Sequence, residues 1–299
     1  MWVMKKISSR KIRNNLIAYS FIAPNFIGCL IFTLIPVACT LLLSLCEWNA
    51  GDQFWFVGLK NYQRMIRNST FRISLSNTLY YAVATVPATM VLSLLLAKLL
   101  NMPIRGRTLF RSALFFPHVA AVVAIAAVWN MLFQPEMGPV NMLLTSLGVA
   151  NPPRWAASTD WAMPVVILAS IWRNVGYYMI IYLAGLQGIP GELYEAARMD
   201  GASGWQCFRR ITIPMLTPIT FFVSIMLTIS CFKVFDLIYT MTEGGPGRAT
   251  NVLVMHIYQS AFTEYKFGYA SAVAMVLFVM VLVITLIQFR MEKKWTGYM

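Results

Sequence analysis

Two groups of residues in this chain invite a chemical reading, and neither is a catalytic set. The first runs from Gly191 to Pro214: Gly-Glu-Leu-Tyr-Glu-Ala-Ala-Arg-Met-Asp-Gly-Ala-Ser-Gly-Trp-Gln-Cys-Phe-Arg-Arg-Ile-Thr-Ile-Pro. Pro190 followed by Glu192 suits a helix first turn. Gly201 can supply the positive φ that ends that helix, and Ser203 or Gly204 can start another. Ala196 and Ala197 lack bulk, so another surface can approach them closely, and Glu195 and Asp200 offer it acceptors. The chemistry is docking. The second group is polar residues set in apolar surroundings: Arg173, Asn174 and Tyr177 in one run, Lys233 and Asp236 in another. Arg173 and Tyr177 share a helix face at i,i+4. A guanidinium beside aromatic rings can bond hydroxyls and stack on sugar faces, or it can bond backbone carbonyls. Lys233 and Asp236, three apart, either pair with each other or contact a solute. Asn130 and Gln134 are weaker candidates of the same kind, and His118 reads as structural.

Covalent and metal chemistry find little support. There is no phosphate loop of the form G-x-x-x-x-G-K-[ST], no G-x-S-x-G elbow and no HExxH. His118 and His256 are the two histidines, and the five cysteines form no CxxC pair, so they read as small core residues. The chain reads as a non-enzyme without a metal or cofactor of its own. Energy for any transport must come from another chain or an ion gradient.

The elements that position these groups follow from composition. Of 299 residues, 59% are hydrophobic and 12% charged, and mean hydropathy is +0.64. A soluble domain averages about 45–50% apolar and 25% charged. Too little polar surface is left to cover the apolar mass, so the chain reads as an all-α integral membrane protein. Apolar runs at about 16–46, 77–100, 109–133, 161–187, 216–240 and 268–290 predict six spans, with Pro24 and Pro36 kinking or breaking the first. That first run is too long for a cleaved signal segment. The net charge of +13 would suggest nucleic acid in a soluble chain. Here the positions decide otherwise. With the N-terminus inside, fourteen basic residues fall on inner segments, including Lys5, Lys6, Arg10, Lys11 and Arg13, and seven on outer ones. This bias predicts both termini in the cytoplasm. The outer segment 47–76 interleaves Lys60, Arg64, Arg67 and Arg72 with Phe54, Trp55 and Phe56, and predicts an interfacial helix. Residues 1–15 form a cytoplasmic tail and 16–299 a single membrane domain, with loop 188–215 facing the cytoplasm.

Glu195-Ala196-Ala197, three residues, Gly201, nine residues, Ile211, one residue and Ile213-Pro214 together resemble the EAA-x3-G-x9-I-x-LP pattern of binding-protein-dependent ABC importer permeases. Isoleucine replaces the leucine. Asp200, Ala202, Phe208 and Pro218 match the longer pattern. Ile22-Ala-Pro24, Gly58-Leu-Lys-Asn-Tyr62, Asn77-Thr78, Phe115-Phe-Pro117, Gly185 to Pro190, Gly244-Gly-Pro246 and Thr250 are similar, in order, to the sugar-importer subgroup.

The resemblance implies a type I importer fold in a bacterial cytoplasmic membrane. It implies a second permease subunit, often a different chain, and an extracytoplasmic solute-binding protein. It also implies two ATPase subunits that use ATP and Mg. The coupling set would be Glu195, Ala196, Ala197, Asp200, Gly201, Ala202, Phe208, Ile211 and Pro214. The expected cargo is a carbohydrate, first a neutral oligosaccharide. Arg173 and Lys233 leave glycerol phosphate or another anionic sugar open. An ion-coupled secondary transporter and a membrane-embedded enzyme are the rival classes. The first would show internal repeats and the second a convergent His, Asp or Cys cluster; neither is visible.

Overall fold

The structure, a computed structural model, describes residues 9–49, 51 and 54–296. Lys5 and Lys6 of the basic tail lie outside the described residues. The chain opens with α1 (Ser9–Cys29), a π turn (Leu30–Leu34) and α2 (Ile35–Ser44). These form one uninterrupted helix over Asn15–Ser44, so the break predicted at Pro24 or Pro36 does not occur. The amide of Ile35 bonds the carbonyl of Leu30, five residues back, just before Pro36. A wider turn there relieves the clash between a proline ring and the carbonyl one turn upstream.

The segment 47–76 is not one interfacial helix. It holds an antiparallel hairpin, β1 (Cys46–Trp48) with β2 (Phe54–Phe56), then α3 (Lys60–Arg67). After them come the first turns of α4 (Ser69–Asn101), which starts well before the predicted position 77. Asn68 separates the two helices: its backbone is extended and its side chain accepts from the Thr70 amide at 2.7 Å. The Asn61 amide nitrogen donates to the carbonyls of Ser44 (3.0 Å) and Cys46 (2.8 Å), fastening α3 to the hairpin.

The predicted third span is also broken. α5 (Arg107–Val119) and α6 (Val122–Leu132) meet at 100°, with Ala120 and Ala121 extended between them. Two alanines carry no breaking signal of their own, and packing decides the geometry: Val122 lies against the main core, and Asn130 further along α6 donates to the Met241 carbonyl at 3.2 Å. Beyond the outer helix α7 (Pro139–Ser146) comes α8 (Ala162–Gln187). Then follow α9 (Gly191–Met199), α10 (Gly204–Cys207), a second π turn (Phe208–Thr212) and α11 (Ile213–Met215). α12 (Thr217–Phe232) turns 64° away from them. The predicted fifth span, 216–240, divides into α12 and α13 (Asp236–Thr242), separated by residues 233–235. α14 (Leu253–Tyr258), a third π turn (Gln259–Thr263) and α15 (Phe267–Thr296) complete the chain. Four helices are long and apolar enough to cross a bilayer alone, and the two bent pairs bring the spans to six.

A hydrogen-bonded corner closes the outer side. Asn77 donates to the carbonyls of Arg248 (2.9 Å) and Asn251 (3.0 Å), and Ser74 donates to the Asn251 side chain at 3.1 Å. The Leu253 amide donates to Thr78 Oγ1 at 2.9 Å, and Thr250 donates to the Gly245 carbonyl at 2.7 Å. The scattered sequence matches Asn77-Thr78, Gly244-Gly-Pro246 and Thr250 are therefore one corner. Gly244 and Gly247 turn it at φ +87° and +61°. His256 is buried beside it, with Nε2 and the Tyr269 hydroxyl 3.0 Å apart, and burial pushes its pKa down and keeps it uncharged.

α8 is the hub. Lipid tails are as apolar as leucine, so helices in a membrane associate by close packing of small residues. A stripe on α4 of that kind (Thr78, Thr85, Thr89, Ser93, Ala97) is fully buried, and Ser93 donates to the Val175 carbonyl on α8 at 2.9 Å. A Cβ placed on Gly176 would lie 1.8 Å from the Leu114 carbonyl oxygen of α5. On Gly185 it would meet the tip of Ile219 on α12 at 2.0 Å. Backbone cannot yield as a side-chain tip can. Gly176→Ala should therefore destabilise by about 3 kcal/mol, and Gly185→Ala by less than about 1 kcal/mol. Thermal unfolding of the detergent-solubilised protein, followed by size-exclusion chromatography, separates the two; equal melting temperatures would contradict the backbone contact.

Candidate functional site

The loop 188–215 is built by local rules. Gly188 caps α8, and Pro190 leads into α9, which carries Glu192 in its first turn and Arg198 in its last, each matched to the helix dipole. Gly201 ends α9 at φ +79°. Its amide bonds the Arg198 carbonyl at 3.0 Å and the Ala202 amide bonds the Ala197 carbonyl at 2.9 Å, a full Schellman motif. Ser203 and Gln206 then form a capping box: Ser203 Oγ accepts from the Gln206 amide at 3.3 Å, and Gln206 Oε1 accepts from the Ser203 amide at 2.7 Å. In the second π turn the Ile213 amide bonds the Phe208 carbonyl, just ahead of Pro214.

The residues singled out here divide by exposure. Glu195, Ala196, Asp200, Gly201 and Pro214 face outward, Ala197, Ala202 and Ile211 are half-buried, and Phe208 is buried. The Lys98 ammonium sits 3.9 Å from the centre of the Phe208 ring, and Tyr194 meets Thr212 Oγ1 at 2.9 Å, clamping α9 to the second π turn. Two exposed apolar residues were missed in the sequence, Met199 (89% exposed) and Trp205 (66%). They flank Asp200 and Gly201 and extend the outward face. Neither stands out by periodicity, since the turn between α9 and α10 brings them to one side. Bare apolar side chains around a small-residue helix face mark a surface for a partner.

The intramembrane polar residues converge on a cavity of ≈ 130 Å³ between α4, α6, α8 and the break that follows α12. Arg173, Asn174, Lys233 and Asp236 all line it. Lys233 and Asp236 do not form the helical pair that their spacing allows. α12 ends at Lys233, Asp236 opens α13, and no ion pair joins them among the described residues. Asp236 instead occupies a helix first turn, where the dipole favours its charge. Arg173 Nε is buried and has no hydrogen-bond partner among the described residues. Sequence reasoning missed Tyr81 and Ser170: the Tyr81 hydroxyl donates to Ser170 Oγ at 2.6 Å, and Asn174 donates to the Ser170 carbonyl at 2.8 Å. Tyr177 does not join this cavity. Its ring stacks on His118 of α5 at 4.4 Å and 13°, so the i,i+4 neighbour of Arg173 is turned to helix packing. Two cations, one carboxylate, an amide and hydroxyls in a small wet space can hold a polar solute by hydrogen bonds and charge.

Residues 68–297 match the family of binding-protein-dependent transport system inner membrane components. The chain is 38% identical to the probable ABC transporter permease YesP of Bacillus subtilis, covering 99% of this chain and 96% of that protein. It is 37% identical to the lactose transport system permease LacF of Rhizobium radiobacter, over 90% of this chain and 91% of that one. Among solved structures, a chain of a bacterial ABC transporter involved in import of the acidic polysaccharide alginate superposes with a TM-score of 0.83 at 25% identity, covering 95% of this chain and 98% of the other. With six spans, the Ala-Ala loop and near full-length matches in agreement, the chain belongs to the binding-protein-dependent transport system inner membrane components, multi-pass permeases of the bacterial cytoplasmic membrane.

Proposed function

We propose that the chain is the permease subunit of an ATP-driven carbohydrate importer, worked through loop 188–215 by separate ATPase subunits. One observation carries this reading: the loop is the covalent continuation of both helices that wall the polar cavity. α8 runs from Arg173 to Gln187, about 21 Å, and then enters α9. α12 runs from Thr217 to its end at Lys233, about 24 Å, and is entered from α10 and α11. A displacement of the Glu195-Ala196-Ala197 face therefore moves Arg173 and Asn174 with one helix and Lys233 and Asp236 with the other. The Tyr194–Thr212 clamp makes the two ends move together. Closure of the ATPases on ATP and Mg then shifts the chain between inward-open and outward-open arrangements, to the extent that it binds one better than the other. An extracytoplasmic binding protein delivers the cargo, and a second permease subunit, a different chain, completes the pathway.

Carbohydrate is the cargo that the hydroxyl and amide donors of the cavity suit, and lactose is the cargo in the name of one relative. A second reading is favoured by the charges: Arg173 and Lys233 outnumber Asp236, which suits an acidic sugar.

Glu195→Lys and Gly201→Asp should each reduce ATP-driven uptake at least tenfold in cells or vesicles holding the whole importer, with the membrane content of the chain unchanged on immunoblots. Normal uptake in both would refute the coupling role. Uptake that persists without the ATPase partners and stops with an uncoupler would instead favour an ion-driven carrier. Arg173→Gln discriminates the cargo. Uptake of an acidic oligosaccharide should fall tenfold or more if charge is read there, while loss of neutral sugar uptake alone would assign Arg173 to hydroxyl binding.

A further inference from the structure

On the outer side, Lys60, Arg64 and Arg67 surround an open depression of ≈ 490 Å³ that Gln63 and Asn68 also line. Arg72 is exposed one turn into α4. Glu47 is the one acid among the described residues of this segment. It reaches Lys60 at 3.9 Å and Arg64 at 3.4 Å, which leaves Arg67 and Arg72 without an ionic partner among the described residues. These cations run against the inward bias of the other basic residues. Beside them all three side chains of β2 are bare (Phe54 56%, Trp55 55%, Phe56 75% exposed), together with Leu59 and Ile66. A soluble hairpin would cover one face against something; this one covers neither.

Position explains the combination. The first span ends at Ser44, two residues before β1, and Asn61 fastens α3 to that point. Rings and cations therefore sit where the outer leaflet meets water, the level at which aromatic residues collect and basic side chains meet phosphates. We propose that this surface is a binding site for an anionic phospholipid of the outer leaflet. Arg67, with Lys60 and Arg64, takes the phosphate, and the acyl chains lie along Phe54–Phe56 and Ile66. An acidic protein surface would match the cations and leave five large apolar side chains in water; a lipid matches both.

The test uses the full importer in nanodiscs of mixed phosphatidylglycerol and phosphatidylcholine, with retained lipid read by native mass spectrometry. The wild type should retain phosphatidylglycerol in preference to phosphatidylcholine. Arg67→Gln, which leaves both Glu47 bridges in place, should weaken that retention about fivefold, the effect of one cation near an anionic headgroup. Arg67→Lys should keep it. Lys60→Gln/Arg64→Gln/Arg67→Gln should abolish the preference. Equal phosphatidylglycerol retention in wild type, Arg67→Gln and the triple variant would overturn the proposal. So would unchanged lipid retention with weakened capture of the binding protein, which would make the patch a protein dock.

Discussion

The contact between Gly176 and the Leu114 carbonyl sets the terms for everything near α8. Within hydrocarbon no hydrophobic gain drives one helix onto another, so a bundle is held by how closely backbones approach. The absence of a side chain at Gly176 admits α5 to van der Waals contact, and the hydroxyl and alanine stripe of α4 does the same on another side. Ser93 adds a hydrogen bond to a carbonyl of α8, a group that has no water to turn to at that depth. A helix gripped this way transmits displacement along its axis, which is what a lever between the loop and the cavity needs.

The cavity itself depends on two interruptions. Polar and charged groups inside a membrane need either partners or an aqueous space. The gap between α12 and α13 provides the space, and it sets Lys233 and Asp236 on opposite sides of a backbone break. The turn between α5 and α6 leaves Val122 at the rim. Had either span been straight, the same residues would have faced lipid or one another.

How much of this can be read from the chain varies with the range of the cause. The loop was legible because its determinants are local: a glycine at φ +79°, a serine followed three residues later by glutamine, and a proline ahead of an acidic turn. The grouping of Arg173, Asn174, Lys233 and Asp236 was half legible, since costly polar residues in apolar runs announce themselves but their mutual positions depend on tertiary packing. Tyr177 shows the limit, because sharing a face with Arg173 does not decide which neighbour its ring meets, and His118 took it. The bend at Ala120-Ala121 was hidden, as alanine favours the helix that packing here overrides. In segment 47–76 the mixture of rings and cations signalled an interface correctly, but it could not separate three residues of strand from the start of a helix.

Pro36 and Pro214 each stand just after a π turn in a helix that carries on, and this fixes more than local comfort. A π turn holds one residue more than the α-helical path it replaces, so it acts as a phase adjustment between the segments on either side. Between α10 and α12 that adjustment sets the azimuth of the Ala-Ala elbow against the cavity wall. Losing a single residue from 208–212 would restore ordinary α pitch and swing the elbow by about 100°. The spacing between Gly201 and Pro214 is thus an angular quantity written as a residue count, intolerant of insertion even where each individual side chain can be exchanged.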